Sequence, residues 1–478
     1  MGKYYVTTSI AYVNADPHIG FALELIYADV LARYARNRGD DVIFVTGTDE
    51  HGGKIAERAK AANKIPQEYA DEISNRFREL TKTLLISNNR FIRTTDPGHE
   101  QRVAAIWKQM KKDIYKGKYE GWYCVGDEAF FTEAEVKANN GICPAHNRPY
   151  EKLTEENYFF RLSTYTDSIK QAIKDGSYKI IPTTRRNEIL AVIERGLSDI
   201  SISRPNEKIS WGIPVPGDPS QVIYVWFEAL MNYITVLGYP EHEDFKQFWP
   251  ADVQLIGKDI IRFHAAIWPA MLLSLGLPLP KKLYVHGFIT SEGKKMSKTL
   301  GNVVDPFKVV QLYGVDAFRY YLLRHIPSYN DGDFSQERFK EVYNGELAHE
   351  LGNLVQRTLA MAISYLKGEV KDIPPPEHDM KAYEEAIDAC RFDQALEVLW
   401  RQVRGLNQYI DEEKPWEIAK AGEVDHLNEV LAYLISSIRE IADLLAPFLP
   451  ETAAKINAAM GSDKLQSINA TLFPIKKQ

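Results

Sequence analysis

Asp16-Pro17-His18-Ile19-Gly20-Phe21 lies between a segment typical of a β-strand and a segment typical of an α-helix, and this order decides the fold. The preceding Tyr4-Tyr5-Val6-Thr7-Thr8 is rich in aromatic and β-branched residues, which favour strands. Apolar residues then recur at helical spacing over residues 23–34, and Gly39 is a natural stop for that helix. Residues 42–45 read as a second, buried strand. The sequence therefore predicts a β-α-β unit.

The start of this helix is the first candidate site. Asp16 is the predicted N-cap, with Pro17 in the first turn. A helix N-terminus presents backbone N–H groups and the positive end of the helix dipole, so it attracts phosphate. His18 would add a donor to the anion, and Gly20 would let a base or ribose lie against the backbone. A capped helix with a surface histidine shows the same pattern, so this segment needs a second observation.

That second observation is a lysine-rich loop at residues 291–302, which carries three lysines, two of them Lys295 and Lys298, between two glycines. Lysine is a compact point charge suited to polyphosphate. The glycines would let the loop close over a ligand. Alone, the loop reads as a solvated basic turn. Together with His18, it indicates a nucleotide site.

Two further polar segments follow predicted strands. Asp49, Glu50 and His51 come directly after the second strand, in a glycine-rich stretch. Gly257 and Asp259 come directly after a short apolar strand. Ligands of doubly wound sheets bind at the carboxyl ends of the strands, so both segments are candidates for holding a charged small molecule. The alternative for the first is a polar loop before the next helix.

The overall composition limits the possible classes of protein. A chain of 478 residues holds about three domains at roughly 150 residues each. A net charge of −7 argues against general coating of nucleic acid, so any RNA contact is expected from a local patch. Three cysteines cannot form a disulfide framework. With no signal peptide, and an apolar run over 265–279 too short for a bilayer, we expect a cytoplasmic protein without a membrane partner.

After about residue 116 the sequence pattern changes, and two short cysteine-containing turns (knuckles) follow. Cys124-x2-Asp127 and Cys143-x2-His146 are separated by the fifteen residues 128–142. Such paired turns present ligands tetrahedrally, and this set is acceptable for Zn²⁺. The alternative is a metal-free loop with a solvated Asp127. The third cysteine, Cys390, is predicted to be a small core residue.

From about Asn344 onward the pattern is helical. Asn353 and Arg357 are four residues apart and so share one helix face. Trp416 follows Pro415 at a predicted helix start. From the residues alone, Trp416 can be either a core residue or an exposed aromatic ring.

His18-Ile19-Gly20-Phe21 and Lys295-Met296-Ser297-Lys298-Thr299 resemble the two signatures of class I aminoacyl-tRNA synthetases. The surrounding sequence is most similar to the methionyl-tRNA synthetase family, and the resemblance runs in order over essentially the whole chain. The matching segments are Tyr12-Val13-Asn14, Thr46-Gly47-Thr48-Asp49-Glu50-His51-Gly52, Tyr224-Val225-Trp226-Phe227-Glu228-Ala229, Gly257-Lys258-Asp259-Ile260, Asn353-Leu354-Val355-Gln356-Arg357 and Lys414-Pro415-Trp416. Two positions depart from the pattern, because Phe21 stands where His or Asn is common and Thr299 where Ser is usual. Phe21 removes one polar contact to the nucleotide.

The resemblance implies an α/β fold: a split Rossmann-like catalytic domain with a parallel sheet, an inserted connective domain with zinc knuckles, and a C-terminal all-α helix bundle. The expected ranges are 1–116 and 222–280 for the two Rossmann halves, 117–221 for the insert, 281–345 for the stem-contact region and 346–478 for the anticodon-binding domain. In the zinc-bearing subgroup a cysteine stands where Asp127 stands here. The dimerising C-terminal extension of some members has no counterpart, so a monomer is expected.

The resemblance also implies a reaction. Methionine and ATP give methionyl-adenylate and pyrophosphate, with Mg²⁺ sharing the phosphate charge, and the methionyl group passes to initiator and elongator methionine tRNA. The insert looks too small for an editing module, and a pocket of this kind discriminates one methylene by only roughly 1–3 kcal/mol, so homocysteine should be activated to some extent.

The resemblance assigns the following residues to these tasks. The catalytic set is His18, Lys295 and Lys298. The ATP-binding set is Gly20, Phe21, Gly257, Asp259 and Lys298. The methionine-binding set is Ile10, Tyr12, Asp49, Trp226, Tyr233 and His264. The anticodon-binding set is Asn353, Arg357 and Trp416, and the metal set is Cys124, Asp127, Cys143 and His146. Arg204 matches the family arginine near the amino-acid site or is a structural ion pair.

Two rival interpretations remain at this point. One is a class I synthetase specific for cysteine, leucine or valine. The other is a non-catalytic RNA-binding paralogue, which would be expected to have lost His18, Asp49 or Lys298, whereas all three are present.

Overall fold

The computed structural model describes residues 2–126, 129–131, 133–145, 147–296, 301–374, 380–461, 464–468 and 471–476. Its strands are β1 (Lys3–Thr7), β2 (Ala11–Tyr12), β3 (Asp41–Asp49), β4 (Arg90–Arg93), β5 (Ile114–Cys124), β6 (Ala129–Phe131), β7 (Ile142–Cys143), β8 (Arg148–Pro149), β9 (Glu151–Phe160), β10 (Lys179–Ile181), β11 (Ile200–Ser201), β12 (Ser203–Pro205), β13 (Pro214–Val215), β14 (Asp218–Ile223), β15 (Val253–Gly257), β16 (Lys282–His286), β17 (Ile289–Ser291), β18 (Lys294–Lys295) and β19 (Gly332–Phe334).

Its α-helices are α1 (Ile19–Asn37), α2 (Gly53–Ala61), α3 (Pro66–Thr83), α4 (Pro97–Gln109), α5 (Glu133–Ala138), α6 (Thr166–Asp175), α7 (Thr183–Glu194), α8 (Val225–Ala229), α9 (Asn232–Thr235), α10 (Glu243–Phe248), α11 (Trp268–Ser274), α12 (Pro306–Tyr313), α13 (Val315–Arg324), α14 (Gln336–Val342), α15 (Asn353–Leu366), α16 (Lys381–Asp388), α17 (Phe392–Glu413), α18 (Pro415–Ala421), α19 (Val424–Leu445) and α20 (Pro450–Met460). Short 3₁₀ turns occupy Met110–Asp113, Leu162–Tyr165 and Lys258–Ile260, and π-helical turns occupy Phe263–Ile267 and Tyr343–Gly352.

A parallel sheet with the order β10-β16-β15-β1-β3 forms the centre of the molecule, and both β2 and β4 pair with β3. The strands pair in parallel throughout. β1 is the switch point, because the chain continues from it to β3 on one side and much later returns to β15 on the other. The carboxyl ends of these strands meet at one edge, which brings Asp49 and Gly257 to the same side of the sheet. This confirms the α/β prediction.

The range 117–221 is not wholly separate from this sheet. β5 and β9 form a long antiparallel pair that starts at Ile114 and Phe160. The chain then returns, because β10 pairs in parallel with β16 at the edge of the central sheet. α4 ends at Gln109, and from Ile114 onward the chain pairs with β9 instead of continuing a helix.

The helical prediction for the last third of the chain is confirmed, and these helices pack directly on the central sheet. One continuous buried cluster contains Leu23 of α1, Tyr284 of β16, Trp400 of α17 and Leu434 of α19. Cys390 is fully buried in the same cluster, as predicted, in the turn between α16 and α17. In the described part of the chain, none of the helices has the length and apolar character needed to cross a membrane.

Candidate active site

His18 is the N-cap of α1. Its backbone is extended (φ −130°, ψ 175°), and its Nδ1 accepts a hydrogen bond from the Gly20 N–H at 3.1 Å. The prediction that Asp16 caps the helix is wrong, because the helix begins two residues later than expected and the imidazole takes the capping position. Asp16 instead forms an exposed ion pair with Arg76.

This geometry fixes the protonation of His18. An Nδ1 that accepts a hydrogen bond carries no proton, so the proton of the neutral ring is on Nε2. Burial lowers the pKa of His18 to about 4, which keeps the ring neutral near pH 7. The amide of Ile19 donates to the Val304 carbonyl at 3.3 Å, and that of Phe21 to the His18 carbonyl at 3.0 Å. Because these two backbone amides already have acceptors, the main donor that the tip of α1 offers to a phosphate is the Nε2–H of His18.

The lysine loop begins and ends close to this helix tip. Lys295 lies exposed on β18, and its carbonyl accepts from the Asn302 side chain at 3.2 Å. Residues 297–300, which include Lys298, lie outside the described residues. Val304, just after the loop, accepts the Ile19 amide that follows His18. Ile19 and Val304, which are 285 residues apart in sequence, thus meet at the start of α1.

Phe21 is used for packing. Its ring lies 4.7 Å from the His18 ring and 5.1 Å, edge-on, from the Phe77 ring, measured between centroids. A polar residue at this position would lose these aromatic contacts. Phe21 therefore supports the ring of His18, which the sequence pattern did not indicate.

The carboxyl end of β15 forms the second part of the site. Gly257 ends the strand, and a Cβ at this position would lie only 2.7 Å from Oδ1 of Asp259. The Asp259 residue is exposed, so its carboxylate is accessible to a ligand. The absence of a side chain at Gly257 therefore leaves room for the Asp259 carboxylate.

Below it lies a buried network that sequence reasoning missed. Glu24 accepts from the Ser9 amide and the Ser9 hydroxyl, both at 2.6 Å, and lies 2.9 Å from Nε2 of His286. His286 Nδ1 faces the Gly287 carbonyl at 2.8 Å, so each ring nitrogen faces an oxygen acceptor and a ring protonated on both nitrogens would satisfy both contacts. Although burial opposes the charge, Glu24 raises the pKa of His286. The only sequence signal was a carboxylate within the apolar stripe of α1.

The predicted methionine-binding residues come from several elements of the same edge. Tyr12 of β2 pairs in register with Asp49, which is 5% exposed. The Tyr233 hydroxyl lies 2.7 Å from Nε2 of His264, whose Nδ1 donates to the Ile260 carbonyl at 3.1 Å. Nε2 of His264 therefore accepts from Tyr233, and burial lowers the pKa of His264 to about 4. This imidazole is neutral, as suits an uncharged thioether.

Trp226 and Ile10 complete this set. Both are half-buried, and the Trp226 ring stacks on Phe263 with centroids 3.9 Å apart. Residues 222–226 are all β-branched or aromatic, which is typical of a strand, but β14 ends at Ile223 and α8 begins at Val225. A run of β-branched and aromatic residues does not separate a buried helix from a strand by itself.

Arg204 is buried against Tyr224, with its guanidinium 4.3 Å from the ring centre. It donates to the Ser203 carbonyl at 2.7 Å and lines a small cavity together with His51 and Trp211. Arg204 thus lies beside the Asp49 segment.

The anticodon candidates lie together in the helical region. Asn353 is exposed at the start of α15, and Arg357 follows one turn later. The Arg357 guanidinium is 6.0 Å from the centre of the Trp416 ring and 3.2 Å from the Asp411 carboxylate. Trp416 is 39% exposed, so it is not a core residue.

The cysteines of the two knuckles lie in one small buried cluster with Val136 and Tyr150. Their predicted partners, Asp127 and His146, lie outside the described residues. Among the residues that are described, no group of three His, Cys, Asp or Glu side chains is placed to hold a metal ion.

A split parallel sheet with a histidine at the tip of its first helix and a lysine loop beside that tip defines a class I aminoacyl-tRNA synthetase. The family model for class I tRNA synthetases (M) matches residues 4–152 and 142–359, and the model for the anticodon binding domain of methionyl tRNA ligase matches residues 369–472. The chain belongs to the methionyl-tRNA synthetase family. It is therefore an ATP-dependent ligase that joins methionine to tRNA.

Individual relatives agree with this assignment. The methionine–tRNA ligase of Thermotoga maritima is 44% identical over 470 residues, which cover 95% of this chain and 74% of that protein. The enzyme of Brucella suis is 41% identical, with 99% and 95% covered. The Mycobacterium tuberculosis methionyl-tRNA synthetase in complex with methionyl-adenylate superposes with a TM-score of 0.92 at 39% identity, covering 99% of this chain and 100% of that one. These matches favour methionine over the cysteine-, leucine- and valine-specific alternatives.

Proposed function

We propose that His18, Lys295 and Lys298 stabilise the charge that develops on the phosphates when the methionine carboxylate attacks the α-phosphorus of ATP. The observation that carries this proposal is the hydrogen bond from the Ile19 amide to the Val304 carbonyl, which joins the histidine segment to the end of the lysine loop. His18 donates from Nε2 to a phosphate oxygen, and the lysines attract the departing pyrophosphate. Catalysis then consists of positioning and charge stabilisation, with no covalent enzyme intermediate.

The same edge of the sheet would hold the two substrates. Gly257 and Asp259 contact the ribose hydroxyls, and Gly20 and Phe21 flank the nucleotide. Asp49 binds the methionine ammonium group, and the side chain lies among Ile10, Tyr12, Trp226, Tyr233 and His264. Support comes from the pairing of Tyr12 with Asp49 and from the neutral Tyr233–His264 pair.

Two metal ions belong to the proposal. Mg²⁺ bound with ATP would add positive charge at the phosphates. One structural Zn²⁺ would be held by Cys124, Asp127, Cys143 and His146, and its support is the shared burial of the two thiols. Asp127 is the least usual zinc ligand of these four residues, because structural zinc sites normally use cysteine or histidine.

The partner is methionine tRNA, in initiator and elongator forms, with Asn353, Arg357 and Trp416 reading the anticodon. We retain the five ranges given above as the domain division, with β10 contributed to the central sheet from within 117–221. A monomer in the cytoplasm stays a prediction, and sedimentation of the purified chain tests the oligomeric state.

Methionine-dependent exchange of pyrophosphate into ATP tests the proposed activity. We expect methionine to give the strongest signal among the twenty amino acids, because its side-chain pocket is neutral and aromatic. Homocysteine should react with a kcat/KM lower by roughly 10- to 200-fold. Metal analysis of the same sample is expected to give one zinc per chain, and zinc is expected to be lost in Cys143→Ser. A stronger signal with another amino acid would contradict the assignment, and a zinc-free wild-type chain would remove the metal site alone.

Replacing Trp416 by alanine is expected to weaken charging of tRNA and to leave pyrophosphate exchange intact. Stacking of a base on an aromatic ring contributes roughly 1–3 kcal/mol, which corresponds to a loss of about 5- to 150-fold in kcat/KM for tRNA. Val424→Ala, at another exposed apolar residue, is the matched control. An equal loss in both assays would show that Trp416 supports the fold and does not contact the anticodon.

A further inference from the structure

A buried carboxylate connects the two segments to which methionine binding is assigned. Glu228 on α8 is fully buried, and its two oxygens contact different histidines: Nδ1 of His51 at 2.9 Å and Nε2 of His99 at 3.0 Å. His51 follows Asp49 by two residues, and Glu228 follows Trp226 by two residues. The ammonium-binding loop and the aromatic helix are therefore joined by Glu228.

The charges show that this contact is an ion pair. His51 lies between Glu228 and the carboxylate of Glu100, which is 3.5 Å from its other ring nitrogen. Burial alone would lower the pKa of His51, but Glu228 and Glu100 outweigh burial and raise it to about 10. Burial likewise opposes the charge of Glu228, and His51 and His99 lower its pKa. Both partners are thus ionised at neutral pH.

A second clamp holds the same loop from its other side. The Gly52 amide donates to the Trp211 carbonyl at 3.0 Å, and the indole N–H of Trp211 donates to the Glu50 carbonyl at 2.6 Å. The Trp211 ring also lies 5.4 Å from the His51 ring. The loop carrying Asp49 is held on both sides, and Glu228 holds it from the helix that carries Trp226.

We propose that Glu228 is a positioning residue for methionine, which sets the Asp49 carboxylate at the correct distance from the Trp226 ring by holding His51 and His99. This inference rests on the proposed roles of Asp49 and Trp226. Asp49 ends a strand of the central sheet, whereas α8 follows β14 of a different sheet, so hydrogen bonding within one sheet does not fix their separation. A methionine molecule held at both its ammonium and its side chain requires that separation to be constant.

Glu228→Gln tests the inference, because it removes the charge and keeps the shape. We expect the KM for methionine in pyrophosphate exchange to rise by up to about 100-fold, since small displacements of binding groups have effects of that size. The KM for ATP is expected to change less than about threefold. Asp316→Asn, at a buried carboxylate that accepts from the Thr452 amide in the helical region, is the control for loss of a buried charge.

The outcomes separate the inference from the proposed function. A selective rise in methionine KM, with a thermal midpoint no lower than that of Asp316→Asn, supports the positioning role. Parallel rises for methionine and ATP, or no rise at all, overturn it. Asp49→Asn is measured alongside: if it leaves the methionine KM unchanged, the assignment of Asp49 fails. If it raises that KM and Glu228→Gln does not, only the inference on Glu228 fails.

Discussion

Replacing His18 by alanine is expected to lower the kcat of methionine-dependent pyrophosphate exchange by roughly 100- to 1,000-fold, the effect of losing one preorganised donor to a developing anion. The ring is neutral, capped through Nδ1 by the Gly20 amide, and protonated at Nε2. Its remaining proton is thus held in place before ATP binds. The KM for methionine should change little, because His18 lies outside the predicted methionine set.

His18→Asn separates catalysis from helix capping. Asparagine is a favoured N-cap and can accept the same amide, but its shorter side chain does not extend to the position of Nε2. We expect His18→Asn to recover the thermal midpoint lost in His18→Ala and to stay nearly as inactive. Recovery of activity along with stability would show that His18 acts only as a cap.

The pKa of His18 also predicts the pH profile. Because that pKa is about 4, the ring is neutral above roughly pH 5, and the contribution of the Nε2 donor is fully present there. It would be lost only as the pH falls through about 4, where protonation of Nδ1 breaks the bond to Gly20. We therefore expect the ratio of the wild-type kcat to the His18→Ala kcat to be constant from pH 6 to 9. If this ratio changed with pH and had its midpoint between pH 6 and 7, His18 would not be a neutral donor.

Local sequence patterns predicted the elements on which the site stands. The patterns at residues 4–8, at 42–45 and directly before Gly257 predict strands, and each of these segments overlaps a strand of the central sheet. Their apolar, β-branched character is a local property, and so is the helical spacing of α1. The prediction that the His18 segment and the lysine loop serve one nucleotide site came from pairing two motifs suited to phosphate, and the Ile19–Val304 hydrogen bond supports it.

Contacts between distant residues could not be predicted from local patterns. His286 and Glu24 are 262 residues apart, and Glu228 and His51 are 177 residues apart. In the sequence Glu24, Glu228 and His286 are each a polar residue in an apolar stretch, and nothing in the polar segment of His51 indicates that Glu228 is its partner. The helix start was missed because both Asp16 and His18 carry a side-chain acceptor that can cap a helix, and the local sequence does not decide between them.

Arg319→Met is expected to cause the largest loss of stability, roughly 3–5 kcal/mol, which is the usual effect of breaking a buried ion pair. Arg319 of α13 and Asp29 of α1 are both fully buried, with 2.7 Å between Nη2 and Oδ2. The guanidinium also donates to the carbonyls of Leu84, Pro447 and Phe448 at 2.7–3.1 Å. Methionine fills a similar volume, but it leaves three buried carbonyls without their donor.

The comparison with an exposed pair makes this prediction specific. Arg38→Met removes the partly exposed contact with Asp40, and such pairs contribute roughly 0–1 kcal/mol. Arg319→Lys keeps the charge but cannot reach three carbonyls and a carboxylate with one ammonium group, so it should resemble Arg319→Met more than the wild type. Urea unfolding followed by circular dichroism measures all three variants. Arg319 links Asp29 of α1 to the carbonyls of Pro447 and Phe448, which follow α19. If Arg319→Met were no less stable than Arg38→Met, these polar contacts would not stabilise the packing of α1 on the anticodon-binding region. Apolar packing alone would then hold the two regions together.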